Sequence, residues 1–255
     1  MDNEPIKPHL ITETRLIILN SKDATKLNGG MNSNLIFEFN DVMLKSNDII
    51  YTTIAVLDAE IPASYYNING NNNTTSITRN GVTALIITTS GNYNALQYIT
   101  EFKSLYETAF SGSTLDMTFD SITGKYSIQD TAFPITINST GSTSYNLLGG
   151  VVGTDYIFSN TATPKNSFNS LANFLGITRI KLMSDTLVSR NIDSNNMTTT
   201  TIIDTLGASA GDFGLTVYNS LGRESLLLAK RIQEIDIQIK DQENNFIDFN
   251  FINWN

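Results

Sequence analysis

The sequence predicts a mainly β protein, in which an all-β domain carries a small α+β insertion. Asn, Thr and Ile each contribute about 30 of the 255 residues, while charged residues make up only 16%, against roughly 25% in an average domain. Apolar and polar residues alternate near both ends of the chain, and one central stretch has helical periodicity. Because Ile and Thr favour strands and Asn favours turns, the composition and the patterning agree.

Strands are predicted wherever apolar residues recur at every second position. The sets that share one face are Leu35, Phe37 and Phe39; Ile180 and Leu182; Phe213, Leu215 and Val217; Ile235, Ile237 and Ile239; and Ile247, Phe249 and Phe251. Residues 49–57 are apolar on both faces, as in a strand buried on both sides. The last two sets flank a polar turn at 241–245, which predicts a closing hairpin. We expect the aromatic residues of this end, Phe246, Phe249, Phe251 and Trp254, to lie in the core, while an interface role for them stays open.

The middle of the chain has a different pattern. A strand at 83–88 is followed by a helix, whose apolar stripe is Ala95, Ile99, Phe102, Tyr106 and Ala109. Asn94 and Gln97 resemble a capping box at its start. Strands at 115–119, 125–128 and 133–137, a turn at 123–124 and a short helix at 144–148 complete the pattern. With loops at 67–73 and 159–170 as borders, we expect residues 1–75 and 161–255 to form the all-β domain, and residues 76–160 to form the insertion domain.

The composition excludes several functional classes. The chain has no Cys and one His, His9, which excludes disulfide frameworks, thiol nucleophiles and multi-histidine metal sites. The net charge of −9 argues against a general nucleic-acid binder, because neutralising phosphates requires clustered Lys and Arg. The sequence shows neither a secretory signal nor a membrane span. We therefore expect a soluble protein that is not an enzyme, with no catalytic, cofactor-binding or metal-binding residues.

One motif has the oxygen spacing of a calcium loop. Asp241, Glu243 and Asn245 stand at alternate positions, as calcium ligands do. However, Phe246 stands where an EF-hand requires Gly, and Ile252 stands where it requires a bidentate Glu. A hairpin turn is therefore favoured over a metal site.

Charged pairs give two further candidates. Asp58 and Glu60 fall on the same strand face, but no acid, base or partner accompanies them, so structural hydrogen bonding is favoured over catalysis. Basic pairs occur at Arg179 with Lys181 and at Lys230 with Arg231. Such pairs are usually solvated, although either could contact nucleic acid or an acidic neighbour.

Ordered blocks of the sequence resemble a known family. They begin with Asn34-Leu-Ile-Phe-Glu-Phe-Asn40 and the run 54–69, continue with 91–94, 119–126 and 145–149, and end with 236–241, 247–250 and Trp254. Together they cover most of residues 10–254 and are similar to the penton, or minor capsid, proteins of virophages and Polinton-like viruses. The composition, rich in Asn and Ile, is typical of an AT-rich genome and suits a virophage of the Sputnik type.

The resemblance implies a fold, partners and a location. The fold would be a single jelly roll of two four-stranded sheets, with five copies closing the fivefold vertex of an icosahedral capsid. The homopentamer would abut the double jelly-roll major capsid protein, and the insertion would project outward as a knob that could meet a host receptor. The protein would be part of the virion and would be assembled in a viral factory of the host cytoplasm.

A second class of function stays open at this stage. A receptor- or carbohydrate-binding β-sandwich, such as a fibre head or lectin, would also be rich in strands and in Asn-rich loops. Tyr65, Tyr66 and Tyr93 could stack on sugars in such a protein. An enzyme is a distant third, because only carboxylate or Ser-Lys chemistry remains.

Overall fold

The computed structural model describes residues 16–27, 31–40, 44–45, 52–187, 191–192, 198–199, 201–208, 215–219, 225–227 and 231–255. Strands far outnumber helices in these ranges, and all strand pairs are antiparallel. The predicted mainly β fold is therefore confirmed.

The elements follow one another in three groups. The first group has a 3-10 helix at Ser21–Asp23 and strands β1 (Lys26–Leu27), β2 (Asn34–Glu38), β3 (Leu44–Lys45), β4 (Thr52–Ile54) and β5 (Asp58–Pro62). The second has β6 (Thr74–Arg79), β7 (Val82–Ile87), α1 (Ala95–Ala109), β8 (Leu115–Asp120), β9 (Lys125–Asp130), β10 (Ile135–Asn138), α2 (Tyr145–Leu148) and β11 (Tyr156–Phe158). The third has β12 (Arg179–Ser184), β13 (Asn191–Ile192), β14 (Thr198–Thr199), β15 (Thr201–Gly207), β16 (Leu215–Asn219), β17 (Ser225–Leu227), β18 (Arg231–Ile232) and β19 (Glu234–Lys240).

The first and third groups form a single jelly roll. One sheet has the order β1-β2-β19-β12-β15, in which the last four strands follow the B-I-D-G order of a jelly roll. On the other side, β3, β4 and β5 pair in turn with β18, β17 and β16, as the C and H strands do. The first sheet has five strands rather than the expected four, because the short β1 adds to its edge. The second group is inserted between the C and D strands.

Alternating residues of the two sheets meet in one core. The predicted inward-facing residues Leu35, Phe37, Ile180, Leu182, Ile235, Ile237 and Ile239 are all buried. Ala59 and Ile61 of β5 meet them from the opposite sheet. The Tyr218 hydroxyl donates a hydrogen bond of 2.9 Å to the buried Asp204 carboxylate, which adds a polar link between β16 and β15.

The predicted second strand of the closing hairpin is wrong. The polar turn forms, and Phe246 makes a single bridge to Lys240, but the chain beyond it is irregular. Asn250 and Phe251 have positive φ angles of 51° and 64°, which redirect the backbone. Phe251 is consequently 90% exposed and Phe246 is only half-buried, so neither is in the core as predicted, whereas Phe249 and Trp254 are buried as predicted.

The predicted burial of residues 49–57 on both faces is also wrong for the part that the structure describes. Within the described part of residues 49–57, β4 is a strand, but Leu57 is 55% exposed. The predicted strand at 215–217 exists as β16, yet Leu215 and Val217 point to solvent, 55% and 57% exposed. Phe213 lies outside the described residues. No second layer covers the outer face of this sheet among the described elements, so its aliphatic side chains stay accessible.

The insertion has its own core. Its four-stranded sheet has the order β11-β10-β6-β7, and α1 contacts β7 and the β8–β9 hairpin. The predicted capping box is present, with the Asn94 side chain bonded to the Gln97 amide and the Gln97 side chain bonded back to Asn94. The buried stripe of α1 is centred on Tyr98, Phe102 and Tyr106.

The predicted apolar stripe of α1 differs slightly from the buried stripe in the structure. Ala109 is exposed, and Tyr98, which the prediction omitted, is fully buried. The predicted strand at 133–137 begins later, at Ile135, because Phe133 belongs to the preceding turn and lies under the Arg79 guanidinium, 4.7 Å from ring centroid to Cζ. The predicted short helix exists as α2 and ends at Gly149, where a positive φ of 82° closes the turn.

Two separate clusters of buried residues correspond to the two parts of the fold. One cluster includes residues of 35–65 and 177–254, and the other includes residues of 68–168. The domain boundaries near residues 75 and 160 stay a prediction.

Candidate interaction surfaces

The outer face of the β5–β16 pair combines carboxylates with aliphatic side chains. Glu60 lies opposite Val217, and Pro62 lies opposite Leu215, so these residues share the side that points away from Ala59 and Ile61. We call Asp58, Glu60, Leu215 and Val217 the acidic face. Two of its members are aliphatic and more than half exposed. Exposed aliphatic residues grouped on a flat sheet are typical of a contact surface.

The acidic face includes the predicted carboxylate pair. Asp58 and Glu60 are both exposed and lie on one strand face, as the alternation predicted. The Asn255 side-chain amide donates to the Glu60 carboxylate at 3.3 Å, and the backbones of Asn255 and Glu60 exchange two hydrogen bonds. Among the described residues, no Lys or Arg forms an ion pair with either carboxylate. The arrangement thus leaves two solvent-facing negative charges beside exposed aliphatic groups.

One end of the outer face of β12 and β19 carries positive charge. Lys181 lies opposite Lys240 in the register, and Arg179 lies two residues before Lys181 on the same side. We call Arg179, Lys181 and Lys240 the basic face. The Lys181 ammonium donates to the Gln242 carbonyl at 3.0 Å and to Asn244 Oδ1 at 2.7 Å. The Lys240 ammonium lies 4.5 Å from the Phe246 ring centroid.

None of these three cations has a carboxylate partner within the described part of the chain. Arg179 is exposed, as predicted for the outer face of this strand. Lys230 lies outside the described residues, as does the side chain of Arg231, so the second predicted basic pair is not described. The basic face therefore presents positive charge that the described structure does not neutralise.

A buried carboxylate stabilises the turn next to the basic face. Asp236 of β19 accepts hydrogen bonds from the Ser184 hydroxyl at 2.6 Å and from the amides of Asp185 and Thr186 at 2.9–3.0 Å and 2.8 Å. Burial alone would raise the pKa of Asp236, but these hydrogen bonds outweigh burial and lower the pKa from its usual value. Gln238 donates to both Asp236 and Asp185. Asp236 therefore ties the end of β12 to β19.

A second buried carboxylate holds the insertion together. The Asp130 carboxylate accepts from Arg79 Nε at 2.9 Å, from the Tyr106 hydroxyl at 2.8 Å and from the amides of Ala132 and Phe133, each at 2.8 Å. Burial favours the neutral acid, but the Arg79 guanidinium and the other donors more than compensate and lower the pKa of Asp130. Burial and the hydrogen bond to Asp130 raise the pKa of Tyr106. This cluster joins β6, α1, β9 and the turn after β9.

The outer face of the insertion sheet has no charged side chain among its described strand residues. Its side chains are those that alternate with the buried core residues: Thr74, Ser76, Thr78, Thr83, Leu85, Ile87, Thr136, Asn138 and Ile157. We call these residues the uncharged face. Thr78 bonds to Thr83 at 2.8 Å, and Asn138 donates to Ser76 and Thr78 at 3.1 and 3.0 Å. Part of the polar bonding capacity of this face is therefore used within the face itself.

The Asn-rich loop joins the two parts of the fold. The Asn67 side chain accepts from the Tyr93 amide at 2.9 Å and donates to the carbonyls of Tyr93 at 2.8 Å and Phe174 at 3.2 Å. It thus links the chain that enters the insertion to the chain that leaves it. Asn72 donates back to the Asn67 carbonyl at 2.9 Å. These Asn side chains have a structural role at the junction.

The three tyrosines proposed for sugar stacking do not form a common platform. Tyr65 belongs to the jelly-roll core, and its burial raises its pKa. Tyr66 is half-buried, and Tyr93 packs against the core of the insertion. Only parts of Tyr66 and Tyr93 are accessible to a ligand.

The calcium-like spacing at 241–245 forms the predicted turn. Asp241 Oδ1 accepts from the amides of Glu243 and Asn245, each at 2.8 Å, and Asn244 adopts a positive φ of 70°. In the described ranges, no three His, Cys, Asp or Glu residues lie together as metal ligands would. The helices described here are too short or too polar to cross a bilayer. His9 lies outside the described residues.

Sequence reasoning missed the two buried carboxylates. Asp236 alternates with three isoleucines, and that pattern is typical of an exposed polar position. Asp130 precedes Thr131-Ala-Phe-Pro134, and an Asp at the start of such a turn can accept from the next amides. That signal was present, whereas the approach of Arg79, 51 residues earlier, has no local signature.

The strand order and the inserted domain define a class, that of single jelly rolls with an insertion between the C and D strands. No protein-family model matches the chain, and no curated protein matches it. Among solved structures, it is similar to the crystal structure of the selenomethionine-labelled mavirus penton protein, with 13% identity over 83% of this chain and 84% of that chain and a TM-score of 0.45. At that identity and TM-score, the likeness supports no statement about function.

Proposed function

We propose that this chain is a penton-type minor capsid protein, five copies of which close the fivefold vertex of an icosahedral capsid. The observation that carries the proposal is the outer face of the β5–β16 pair, which presents two exposed aliphatic residues, Leu215 and Val217, beside the carboxylates of Asp58 and Glu60. The ordered sequence blocks that resemble virophage pentons support the same conclusion. No enzymatic role is proposed, and the absence of one stays a prediction.

The physical requirements of a ring suit this fold. A closed ring needs two different contact surfaces on each copy, which face each other across every interface. A jelly roll has two sheets whose outer faces point in opposite directions, and here these faces differ in charge and apolar content. The low content of charged residues helps, since Thr, Ser and Asn can be buried with hydrogen bonds at smaller cost than unpaired charges.

The remaining parts of the proposal concern the surroundings of the ring. The partners would be further copies of the chain and the double jelly-roll major capsid protein around the vertex, in a virion assembled in the host cytoplasm. The proposed insertion spans residues 76–160, between the jelly-roll parts 1–75 and 161–255, and the separation of the two buried clusters supports a division of this kind. A relationship to Sputnik-type virophages in particular stays a prediction.

The mass of the purified assembly tests the proposal. Five copies of the 28.1-kDa chain have a mass of about 140 kDa, which native mass spectrometry distinguishes from a dimer or trimer. A low-resolution reconstruction of particles should show density of this size at the fivefold vertices. A stable monomer or trimer that is absent from particles would refute the capsid role.

The uncharged face of the insertion favours a second candidate function, attachment to a host receptor. The face is a four-stranded sheet on a separately packed domain, and it exposes aliphatic and hydroxyl groups without charges. A glycan array and binding to host-cell surfaces, each measured with the wild-type chain and with Thr136→Lys, test it. Binding that the variant does not reduce would exclude this face as the attachment surface.

A further inference from the structure

We infer that the acidic face of one copy binds the basic face of the next copy, so that charge pairing sets the head-to-tail order of the ring. This inference rests on the proposed function and names the two surfaces that the ring would use. Its basis is the presence of an acidic-aliphatic surface and a basic surface within one chain, neither of which forms an ion pair among the described residues.

The two faces are directed away from each other. Asp58 and Glu60 alternate along β5 with Ala59 and Ile61, which are in the core. Arg179 alternates with Ile180, which enters the same core from the opposite sheet. One copy therefore cannot pair these charges internally. A second copy can do so by a contact that leaves one face free on each copy, and such a contact propagates until a ring closes.

The charges are available for pairing. Asp58 has no hydrogen-bond donor in the described structure, and Glu60 accepts only the long contact from Asn255. The Arg179 guanidinium is exposed, and an arginine can bind a carboxylate through two parallel hydrogen bonds. The Lys181 and Lys240 ammonium groups are positioned by a carbonyl, an amide oxygen and an aromatic ring, none of which removes their charge.

A second copy fits better than a nucleic acid. Three cations on a chain of net charge −9 give little attraction for a phosphate backbone. A nucleic acid would also leave the aliphatic members of the acidic face uncovered, whereas a protein surface buries them. Aliphatic groups beside the carboxylates exclude water when covered, which strengthens the charge pairing.

The end of β19 opposite to Lys240 determines how two copies align. Glu234 is exposed there, on the side of the sheet that carries the basic face. An acidic face placed against this end would meet a like charge, and like-charge contacts oppose binding. The acidic face of the neighbour is therefore directed to the end with Arg179, Lys181 and Lys240.

Charge reversal with rescue tests this inference. Glu60→Lys and Arg179→Glu are each expected to raise the dissociation constant of the assembly at least about tenfold, and the double variant is expected to restore assembly to within about threefold of wild type. The readouts are native mass spectrometry and sedimentation velocity across a dilution series. Wild-type assembly should also weaken with added salt, since salt screens surface charges.

Matched controls reverse charges on the insertion. Glu107 is at an exposed position of α1, and Lys125 is on β9. Both residues are outside the acidic and basic faces, so neither Glu107→Lys nor Lys125→Glu should change the dissociation constant of the assembly. Trp254 fluorescence and circular dichroism establish that each variant is folded.

The outcomes separate the inference from the proposed function. Wild-type pentamers that neither charge reversal weakens, or single variants that the combination does not rescue, would overturn the inference and leave the capsid proposal in place. A wild-type chain that stays monomeric at its highest attainable concentration would contradict both the inference and the pentamer. If the control variants raise the dissociation constant of the assembly as much as Glu60→Lys and Arg179→Glu do, the charge effect is nonspecific. That result would also overturn the inference.

Discussion

Replacing Asp130 with Asn should be among the most damaging single changes in the insertion. The carboxylate is fully buried, and donors approach both of its oxygens: Arg79 Nε and the Tyr106 hydroxyl at one, and two backbone amides at the other. An Asn side chain has one oxygen and one NH₂ group, so in either orientation its NH₂ faces two donors. Arg79, whose side chain is only 12% exposed, also loses its counter-ion.

The expected cost is about 3–5 kcal/mol in the free energy of unfolding, the range for removing one partner of a buried ion pair. Urea unfolding followed by circular dichroism measures the total effect, and hydrogen exchange with mass spectrometry localises it to peptides of β6, α1 and β9. Asp116→Asn is the matched control. It breaks the partly exposed ion pair between Asp116 and Lys165, for which about 0–1 kcal/mol is expected. Equal costs for the two variants would refute the proposed role of Asp130.

The pH dependence gives an independent check. Because the pKa of Asp130 is lower in the folded state than its ordinary value, its contribution to stability is complete above about pH 4 and is lost as the pH falls through the lowered pKa. The wild-type protein should therefore lose stability below about pH 4 more steeply than Asp130→Asn does. If the free energy of unfolding of both proteins falls equally steeply with decreasing pH below about pH 4, this explanation is contradicted.

Four further predictions concern other parts of the fold. Asp236→Asn leaves several buried donors without a carboxylate and should cost about 2–4 kcal/mol; a smaller effect on the unfolding transition of Trp254 fluorescence would argue against its role. Asn94→Ala removes the helix cap and should cost about 1 kcal/mol in thermal unfolding, while an Asn94→Asp control should retain most of the stability. Phe249→Ala should cost about 3–5 kcal/mol and the exposed Phe251→Ala less than about 0.5 kcal/mol; similar losses would mean that Phe251 is buried. Gly149→Ala combines a positive φ with a Cβ only 2.2 Å from the Ser170 carbonyl oxygen, so a loss of about 1–3 kcal/mol in urea unfolding is expected, and an unchanged midpoint would be inconsistent with that close approach.

Local patterns predicted much of the fold. The capping box of α1, the glycine at the end of α2 and the inward-facing isoleucines of β19 depend on residues within a few positions of each other, so the sequence contains their full signal. Several of the wrong predictions concern exposure. Alternation shows that Leu215 and Val217 lie on one face of a strand, but it does not show whether another layer covers that face.

The candidate surfaces were predicted only in part. The sequence placed Asp58 with Glu60 on one strand face and Arg179 with Lys181 on another, since side chains alternate along any strand. It did not bring Lys240 beside Lys181, because that contact depends on the register between β12 and β19. It also gave no sign that the acidic and basic residues lie on opposite sides of one sandwich.

The sequence by itself determined the type of protein: strands and turns from Ile, Thr and Asn, one capped helix, and a chain poor in reactive side chains. Only the tertiary structure decided which polar groups are buried and which aliphatic groups are not. Asp130 and Asp236 are stable inside the protein because donors distant in sequence, Arg79 and Ser184, reach them. Leu215 and Val217 stay outside because no described element covers them. Burial is a property of the neighbours that the fold supplies, whereas the local pattern specifies only the direction in which a side chain points.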